Sequence, residues 1–147
     1  MNGASSHASL LAAVVAIARP GPVLELGVGE GSTPLLREMC KAMGRELVSV
    51  DNHPEWAGTF NARMWDDGAG LQRDWSVVFV DTSAPPTRLE LVQMFRARAE
   101  FIVVHDTDNQ GGDLDDLIAA LDAFPFKYTA DYSTPWTTVV SDTRSYP

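Results

Sequence analysis

The sequence predicts an α/β fold in which a mostly parallel sheet is covered by helices on both faces. Short continuous apolar runs alternate with segments whose apolar residues recur at helical spacing, and this alternation is typical of parallel sheets. Acidic residues follow three of these runs, at Asp51, Asp81 and Asp106. The last two runs are joined by a turn without a helix, so we expect an antiparallel edge.

The first elements alternate between helix and strand. Helical spacing of Leu and Val predicts a helix over residues 8–18, which Arg-Pro-Gly-Pro then ends. A strand over residues 23–26 leads directly into a glycine-rich loop. Ser32-Thr33-Pro34 then supplies a cap and a first-turn proline for a helix to about residue 43. Residues 47–50 predict the second strand.

In the middle of the chain, residues 57–61 predict a short helix and residues 63–65 a short strand. The run of residues 75–80 is a strong strand candidate, because it is continuously apolar and rich in β-branched and aromatic side chains. Two prolines then open a predicted helix over residues 84–99.

The last third of the chain contains three predicted strands and one helix. Residues 101–104 form an apolar strand, and residues 113–123 form an amphipathic helix. Residues 126–132 and 136–141 predict two closing strands around a Ser-Thr-Pro turn. His7 is assigned to a polar tail over residues 1–7.

Length and charge restrict the domain organisation and the function classes. The chain of 147 residues is the size of one domain, so we treat residues 1–147 as a unit. A formal net charge of −9 argues against a nucleic-acid or anionic-lipid partner. Cys40 is the one cysteine, which excludes an intrachain disulfide. The apolar run 9–18 is too short to span a bilayer and follows no Lys or Arg, so we expect a cytoplasmic protein.

The glycine-rich loop lies between the first strand and the following helix. Gly27, Gly29 and Gly31 allow a tight turn and a close approach of the backbone to a ligand. Asp51 lies 20 residues after Gly31, at the end of the second strand, where a carboxylate can accept both hydroxyls of a ribose. Position 32 is serine rather than the third glycine of G-x-G-x-x-G, which disfavours NAD. We expect an adenosine-containing ligand; a ligand-free strand–helix turn is the alternative.

These segments resemble the class I (Rossmann-like) S-adenosylmethionine (SAM) dependent methyltransferases. Residues 23–32 look like the first motif of that family and residues 48–51 like its second, and the resemblance covers about residues 8–142. Gly-Glu-Gly-Ser-Thr-Pro and Val-Val-His-Asp-Thr look most like small-molecule and sugar O-methyltransferases. The resemblance implies a seven-stranded sheet of order 3-2-1-4-5-7-6, with strand 7 antiparallel.

The resemblance also implies a set of SAM-binding residues: Glu25, Gly27, Gly29, Gly31, Asp51, Asn52, Asp66 and Asp67. The glycines would lie under the methionine part of SAM, and Glu25 would hold either the loop or the amino group. Asp51 would bind the ribose, and Asp66 or Asp67 would lie near the adenine amino group. The helix usually found between strands 3 and 4 is almost absent, which favours self-association into a homodimer.

Acidic and amide side chains follow two adjacent predicted strands, at Asp81, Asp106, Asp108 and Asn109. Hard divalent cations prefer such oxygen ligands. Asp81 and Asp106 match metal-ligand positions of enzymes like catechol O-methyltransferase, which implies Mg²⁺ there, although Thr107 stands where those enzymes have asparagine. His105 is the alternative general base.

The function that follows is transfer of a methyl group from SAM to an oxygen of a small molecule. The catalytic candidates are Asp106, His105 and Asp81, and deprotonation would fall to Asp106, His105 or a metal-bound hydroxyl. Two alternatives stay open. One is a protein that binds SAM or S-adenosylhomocysteine (SAH) without turnover, and the other is a different SAM- or nucleotide-using enzyme on this fold.

Overall fold

A computed structural model of the chain describes residues 7–83, 85–108 and 114–147. Strands and helices alternate through most of this part of the sequence, except that β4 directly follows β3 and β7 directly follows β6. The strands are β1 (Val23–Leu26), β2 (Leu47–Asp51), β3 (Arg63–Met64), β4 (Trp75–Val80), β5 (Ala99–His105), β6 (Phe126–Ala130) and β7 (Thr137–Ser141). The α-helices are α1 (Ala8–Ile17), α2 (Thr33–Met43), α3 (Pro54–Thr59), α4 (Arg88–Phe95) and α5 (Leu114–Asp122).

All seven strands join one sheet in the order β3-β2-β1-β4-β5-β7-β6. The pairs among β1 to β5 are parallel, and β7 runs antiparallel to both β5 and β6. The predicted fold class and strand order are confirmed. Because β1, β2, β4 and β5 are parallel neighbours, their carboxyl ends meet at one edge of the sheet, which is where such folds bind ligands.

Apolar side chains cover both faces of the sheet. Successive residues of β4 point to opposite faces, so Val78 belongs to one buried cluster and Phe79 to the other. The first cluster receives side chains of α4 and α5, and the second receives side chains of α1 and α2. Burial on both faces explains why the central strands read as continuous apolar runs rather than alternating ones.

The helix predicted over residues 84–99 is shorter than expected at both ends. Ala84 lies outside the described residues, and α4 begins only after Thr87, whose Oγ1 accepts a hydrogen bond from the Glu90 N–H at 3.1 Å. The proline at position 86 disfavours helical geometry in the residue before it, which delays the start. A short 3-10 helix over Arg96–Arg98 ends the segment, and residues 99 and 100 belong to β5.

Smaller differences concern the starts of three helices, α2, α3 and α5. Ser32 occupies the N-cap position of α2 as predicted, but its hydroxyl donates to a buried carboxylate and makes no capping hydrogen bond. Helix α3 begins at Pro54 rather than residue 57, with proline in the first turn as helices prefer. Position 113, where α5 was predicted to start, lies outside the described residues. Among the helices that the structure describes, none is long and apolar enough to cross a membrane.

Candidate functional site

The glycine-rich loop is pressed against the carboxyl edge of the sheet directly after β1. Gly27 has a φ of +97°, and a Cβ there would collide with the backbone carbonyl of Asp81. The Gly27 N–H donates to the carbonyl of Val50 at 2.8 Å. A side chain at this position would separate the ends of β1 and β4, so the close approach requires glycine.

Glu25 holds the loop from below. Its carboxylate is fully buried in β1 and accepts hydrogen bonds from the hydroxyls of Ser32 at 2.6 Å, Ser49 at 2.7 Å and Thr33 at 2.9 Å. Thr33 Oγ1 in turn accepts from the Gly29 N–H at 3.0 Å. Burial raises the pKa of Glu25, and these hydroxyls work in the opposite direction. Of the two roles implied by the resemblance, this geometry fits the one in which Glu25 holds the loop.

Asp51 is fixed by two backbone groups at the end of β2. One carboxylate oxygen accepts from the Val28 N–H at 2.9 Å and the other from the His53 N–H at 2.7 Å. The side chain is only 7% exposed, yet it lines a cavity. Each oxygen keeps a further lone pair, so Asp51 can accept two hydroxyls from a bound ligand without moving. The neighbouring Asn52 amide donates to the carbonyls of Ser83 and Pro85.

Two adjoining cavities open at this edge and share Trp56 and Asp81 in their walls. The smaller, of about 220 Å³, contains Asp51 and Asn52. The larger, of about 350 Å³, is lined by the glycine-rich loop and by the residues that end β5. Trp56 is 48% exposed and stacks on Phe60, with ring centroids 5.9 Å apart. The arrangement offers a fixed acid in one compartment and a cluster of titratable groups in the other.

Asp81 lies where the two cavities meet. Its side chain reaches solvent through the cavity, but protein surrounds it closely enough for burial to raise its pKa to about 7. The negative charges of Asp106 and Glu25 raise it further, and Arg88 opposes them. A carboxyl group that titrates near neutrality can accept a proton at physiological pH.

Asp106 follows β5 in a left-handed backbone conformation, with a φ of +67°. This conformation is uncommon for residues other than glycine and is found preferentially at functional sites. Arg88 supports it, because its Nη1 donates to the carbonyls of His105 at 3.1 Å and Asp106 at 2.6 Å. Arg88 is therefore not a solvated surface charge: its side chain is half-buried and holds the end of β5.

His105 and His7 form a buried pair beside these acids. Nδ1 of His105 lies 3.2 Å from Thr137 Oγ1, and burial lowers the pKa of His105 against the opposing effect of Asp106. The assignment of His7 to a solvated tail is wrong, because the side chain is 2% exposed and its ring centroid lies 4.4 Å from that of His105. Burial and, to a smaller extent, the neighbouring His105 lower the pKa of His7 to about 4. A nearby backbone group of Gly31 acts to raise the pKa, but it does not form a hydrogen bond with either ring nitrogen.

The structure gathers a different set of metal-ligating groups from the predicted one. Within the described residues, His7, Asp81 and His105 come together, and Asp106 is not part of the group. Asp108 Oδ1 accepts from the Trp136 N–H at 2.7 Å, and position 109 lies outside the described residues. The prediction of Mg²⁺ at Asp81 and Asp106 therefore gains no support from this geometry.

Asp66 and Asp67 are exposed in the turn after β3 and do not line either cavity. Their role near an adenine stays a prediction. Trp65, the preceding residue, lines a narrow cleft beside Asp51 and Asn52. Nothing in the sequence indicates this position for Trp65, which follows from the pairing of β3 with β2.

No protein-family model matches the chain, and no curated protein matches it by sequence. Solved structures do match it. Human methyltransferase-like protein 13 in complex with SAH has a TM-score of 0.67 at 17% identity, over 97% of this chain and 83% of that chain. The plantazolicin methyltransferase BpumL in complex with SAH has a TM-score of 0.53 at 11% identity, over 95% and 82%.

A third similar structure is Sp1610 of Streptococcus pneumoniae in complex with SAM, named as a candidate tRNA (m1A22) methyltransferase. Its TM-score is 0.54 at 11% identity, over 95% of this chain and 74% of that chain. At these identities the shared property is the fold, which is that of class I SAM-dependent methyltransferases.

Proposed function

We propose that this chain binds SAM and transfers its methyl group to an oxygen atom of a small molecule. One observation carries the proposal: a backbone-fixed Asp51 and a clamped glycine-rich loop flank a cavity that contains a carboxyl group titrating near neutrality. The structures of similar fold that hold SAM or SAH support the ligand.

The residues present fit SAM. The two carboxylate oxygens of Asp51 match the two hydroxyls of a ribose, and Trp56 offers an exposed aromatic face for the adenine. A Cβ built on Gly29 meets no atom within 4 Å, so the space above the loop is open to a ligand. When bound, SAM supplies a methyl group on a positively charged sulfur, which an acceptor oxygen must approach in line.

The residues of the larger cavity would prepare the acceptor. Asp81 takes the proton of the acceptor hydroxyl, because its pKa of about 7 leaves it able to do so at neutral pH. Asp106 supplies a second negative charge beside it, and His105 is the alternative base. Positioning of the two reactants supplies most of the remaining rate enhancement.

The charge of the cavity restricts the acceptor. Glu30, Asp81 and Asp106 all line the larger cavity, and no Lys or Arg is among the described residues in its wall. Phosphate groups would be repelled there, so we favour a small hydroxylated molecule over tRNA, although a neighbour of this fold is named for tRNA methylation. We also propose that the protein is cytoplasmic and forms a homodimer. Exposed aromatic side chains support the dimer, two on β6 and two in the turn between β6 and β7: Phe126, Tyr128, Tyr132 and Trp136.

Formation of SAH tests the proposal. The chelator-treated protein would be incubated with SAM and one of three acceptor sets: hydroxylated small molecules, peptides or tRNA. We expect SAH with a member of the first set, and a loss of about 10²-fold or more in Asp81→Asn but not in Asp74→Asn, an exposed acid at the opposite end of β4. Turnover with tRNA alone would show that the acceptor class is wrong. SAM binding without SAH formation would favour a binding protein.

A further inference from the structure

His7, Asp81 and His105 converge on the larger cavity from three distant parts of the sequence. His7 precedes α1, Asp81 follows β4 and His105 ends β5. One ligand atom from each side chain lies within 4.8 Å of the other two. All three residues also line the cavity, so any group that they hold would be accessible from it.

The ring nitrogens of His7 are buried without being satisfied by the described part of the chain. The side chain is 98% buried, and neither ring nitrogen has a hydrogen-bond partner among the described residues. A buried polar group without a partner is costly, by about 1–3 kcal/mol for a typical group. The ring packs at 4.4 Å from His105 and 5.1 Å from Phe79, measured between centroids, so it is held in place without its nitrogens being satisfied.

The other two members are arranged as ligands usually are. Nδ1 of His105 is engaged by the hydroxyl of Thr137 at 3.2 Å, which fixes the ring and leaves Nε2 available. Metal-bound histidines are commonly oriented in this way by a partner on the second nitrogen. The Asp81 carboxylate has no hydrogen bond or ion pair within the described part of the chain and is open to the cavity.

We infer that His7, Asp81 and His105 bind one divalent transition-metal ion of the Zn²⁺ class, with at least one coordination position open to the cavity. Two imidazoles and one carboxylate form a ligand set suited to Zn²⁺ and related ions, whereas Mg²⁺ prefers oxygen ligands alone. Tetrahedral Zn²⁺ with bonds of about 2 Å places its ligand atoms about 3.3 Å apart. The three ligand atoms already lie within 4.8 Å of one another, so small side-chain rotations would bring them to that spacing. The ion would tie the residue before α1 to the ends of β4 and β5.

This inference goes beyond the proposed methyl transfer, because ion binding is measured without SAM or an acceptor. If both proposals hold, Asp81 becomes a ligand in the metal-loaded protein and accepts a proton only in the metal-free protein. The failure of one is therefore distinguishable from the failure of the other.

Cobalt spectroscopy on the untagged full-length chain tests the site. After chelator treatment and removal of the chelator, CoCl₂ is titrated while visible absorption is recorded, and ZnCl₂ or MgCl₂ is then added. We expect one Co²⁺ per chain, displaced by Zn²⁺ and not by Mg²⁺. Affinity should fall at least about tenfold in His7→Ala and Asp81→Asn, since even the loss of an outer-shell partner costs that much.

His53→Ala is the matched control, because His53 is the remaining histidine of the chain and is exposed outside the cluster. It should bind Co²⁺ as the wild type does. If His7→Ala is misfolded by circular dichroism, His105→Gln replaces it, and X-ray absorption of the Zn²⁺-loaded wild type should show two imidazole ligands. The inference is overturned if folded wild-type protein binds no Co²⁺, if His7→Ala or its replacement binds equally well, or if His53→Ala loses binding to the same extent.

Discussion

Two carboxylates that lie beside the glycine-rich loop have opposite surroundings. Asp51 accepts two backbone N–H groups and is held rigidly. Asp81 has neither of these and lies beside Asp106, so its pKa is raised to about 7 by burial and then by that neighbouring charge. The same side-chain chemistry is thereby suited to ligand binding at one position and to proton exchange at the other.

The effect of Asp106 on Asp81 is directly testable. In Asp106→Asn the neighbouring negative charge is gone, while asparagine tolerates the left-handed backbone. The pKa of Asp81 should therefore fall, and in chelator-treated protein the pH at which SAH formation reaches half its maximum should move lower. Asp74→Asn is the control and should leave the profile unchanged. An unshifted profile in Asp106→Asn would show that the charge of Asp106 does not raise the pKa of the group that accepts the proton.

Stability should depend on pH through Asp81. Its pKa is 3.8 as a free residue and about 7 in the folded chain, so the folded state binds more protons than the unfolded state in the intervening window. Stability contributed by this group is therefore lost as pH rises from 4 to 7. His7, with its pKa lowered from 6.5 to about 4, acts in the opposite direction.

Replacing Asp81 separates these two contributions. Asp81→Asn should be more stable than the wild type at pH 8 by about 1 kcal/mol, a modest figure because solvent reaches the side chain, and the gain should shrink as the pH falls and vanish toward pH 4. Thermal unfolding followed by circular dichroism at both pH values measures the difference. An equal gain at both would mean that the carboxyl is not perturbed.

At the scale of elements, the strand–loop–helix unit from β1 to α2 depends on two glycines in different ways. Gly27 has no room for a side chain, because the backbone of Asp81 occupies the space. Gly29 has open space where a side chain would go, and it lines the larger cavity. Gly27 is therefore required by the fold, whereas Gly29 leaves space at the cavity that we propose as part of the SAM site.

Alanine at each glycine separates these roles. Gly27→Ala should lower the free energy of unfolding by about 1–3 kcal/mol, through backbone strain and the collision with Asp81. Gly29→Ala should have a free energy of unfolding within about 0.5 kcal/mol of that of the wild type, and it should bind SAM more weakly. Denaturant unfolding and calorimetry measure the two effects. A Gly27→Ala protein as stable as the wild type would contradict the close approach.

The sequence predicted the sheet well, because central strands buried on both faces leave continuous apolar runs, and acidic residues end or directly follow three of these strands. The burial of His7, the hydrogen bond of the Ser32 hydroxyl and the half-buried position of Arg88 were not predicted, for a common reason. The partners of Ser32 and Arg88 lie 7 to 18 residues away in the chain and include backbone carbonyls, and His7 packs against His105. Such contacts leave no periodic signal. Only the strand order, once known, brings these groups to one edge.

At the scale of the whole molecule, the sheet ends in β6, an edge strand with exposed aromatic side chains. It pairs antiparallel with β7, from Phe126 opposite Ser141 to Ala130 opposite Thr137. An edge strand of this kind can pair with a second copy of the chain. This is the surface through which we expect the homodimer to form.

A lysine on the edge strand should disrupt that dimer. Phe126→Lys places a charge in the expected interface, so the wild type should scatter light as a dimer and the variant as a monomer, with equal thermal stability. Arg63→Lys on β3, at the opposite edge of the sheet, should remain dimeric. A monomeric wild type, or a dimer retained in Phe126→Lys, would show that β6 is not the interface.

Calorimetric titration of SAM into the wild type, Asp51→Ala and Asp74→Ala tests the central claim most directly. We predict that the wild type binds one SAM per chain, and that Asp74→Ala binds equally well. Affinity in Asp51→Ala should fall by about 5-fold to 150-fold, which corresponds to about 1–3 kcal/mol for a ligand whose hydroxyls lose their acceptor. The account would be contradicted if the folded wild type does not bind SAM, or if Asp51→Ala binds it with unchanged affinity.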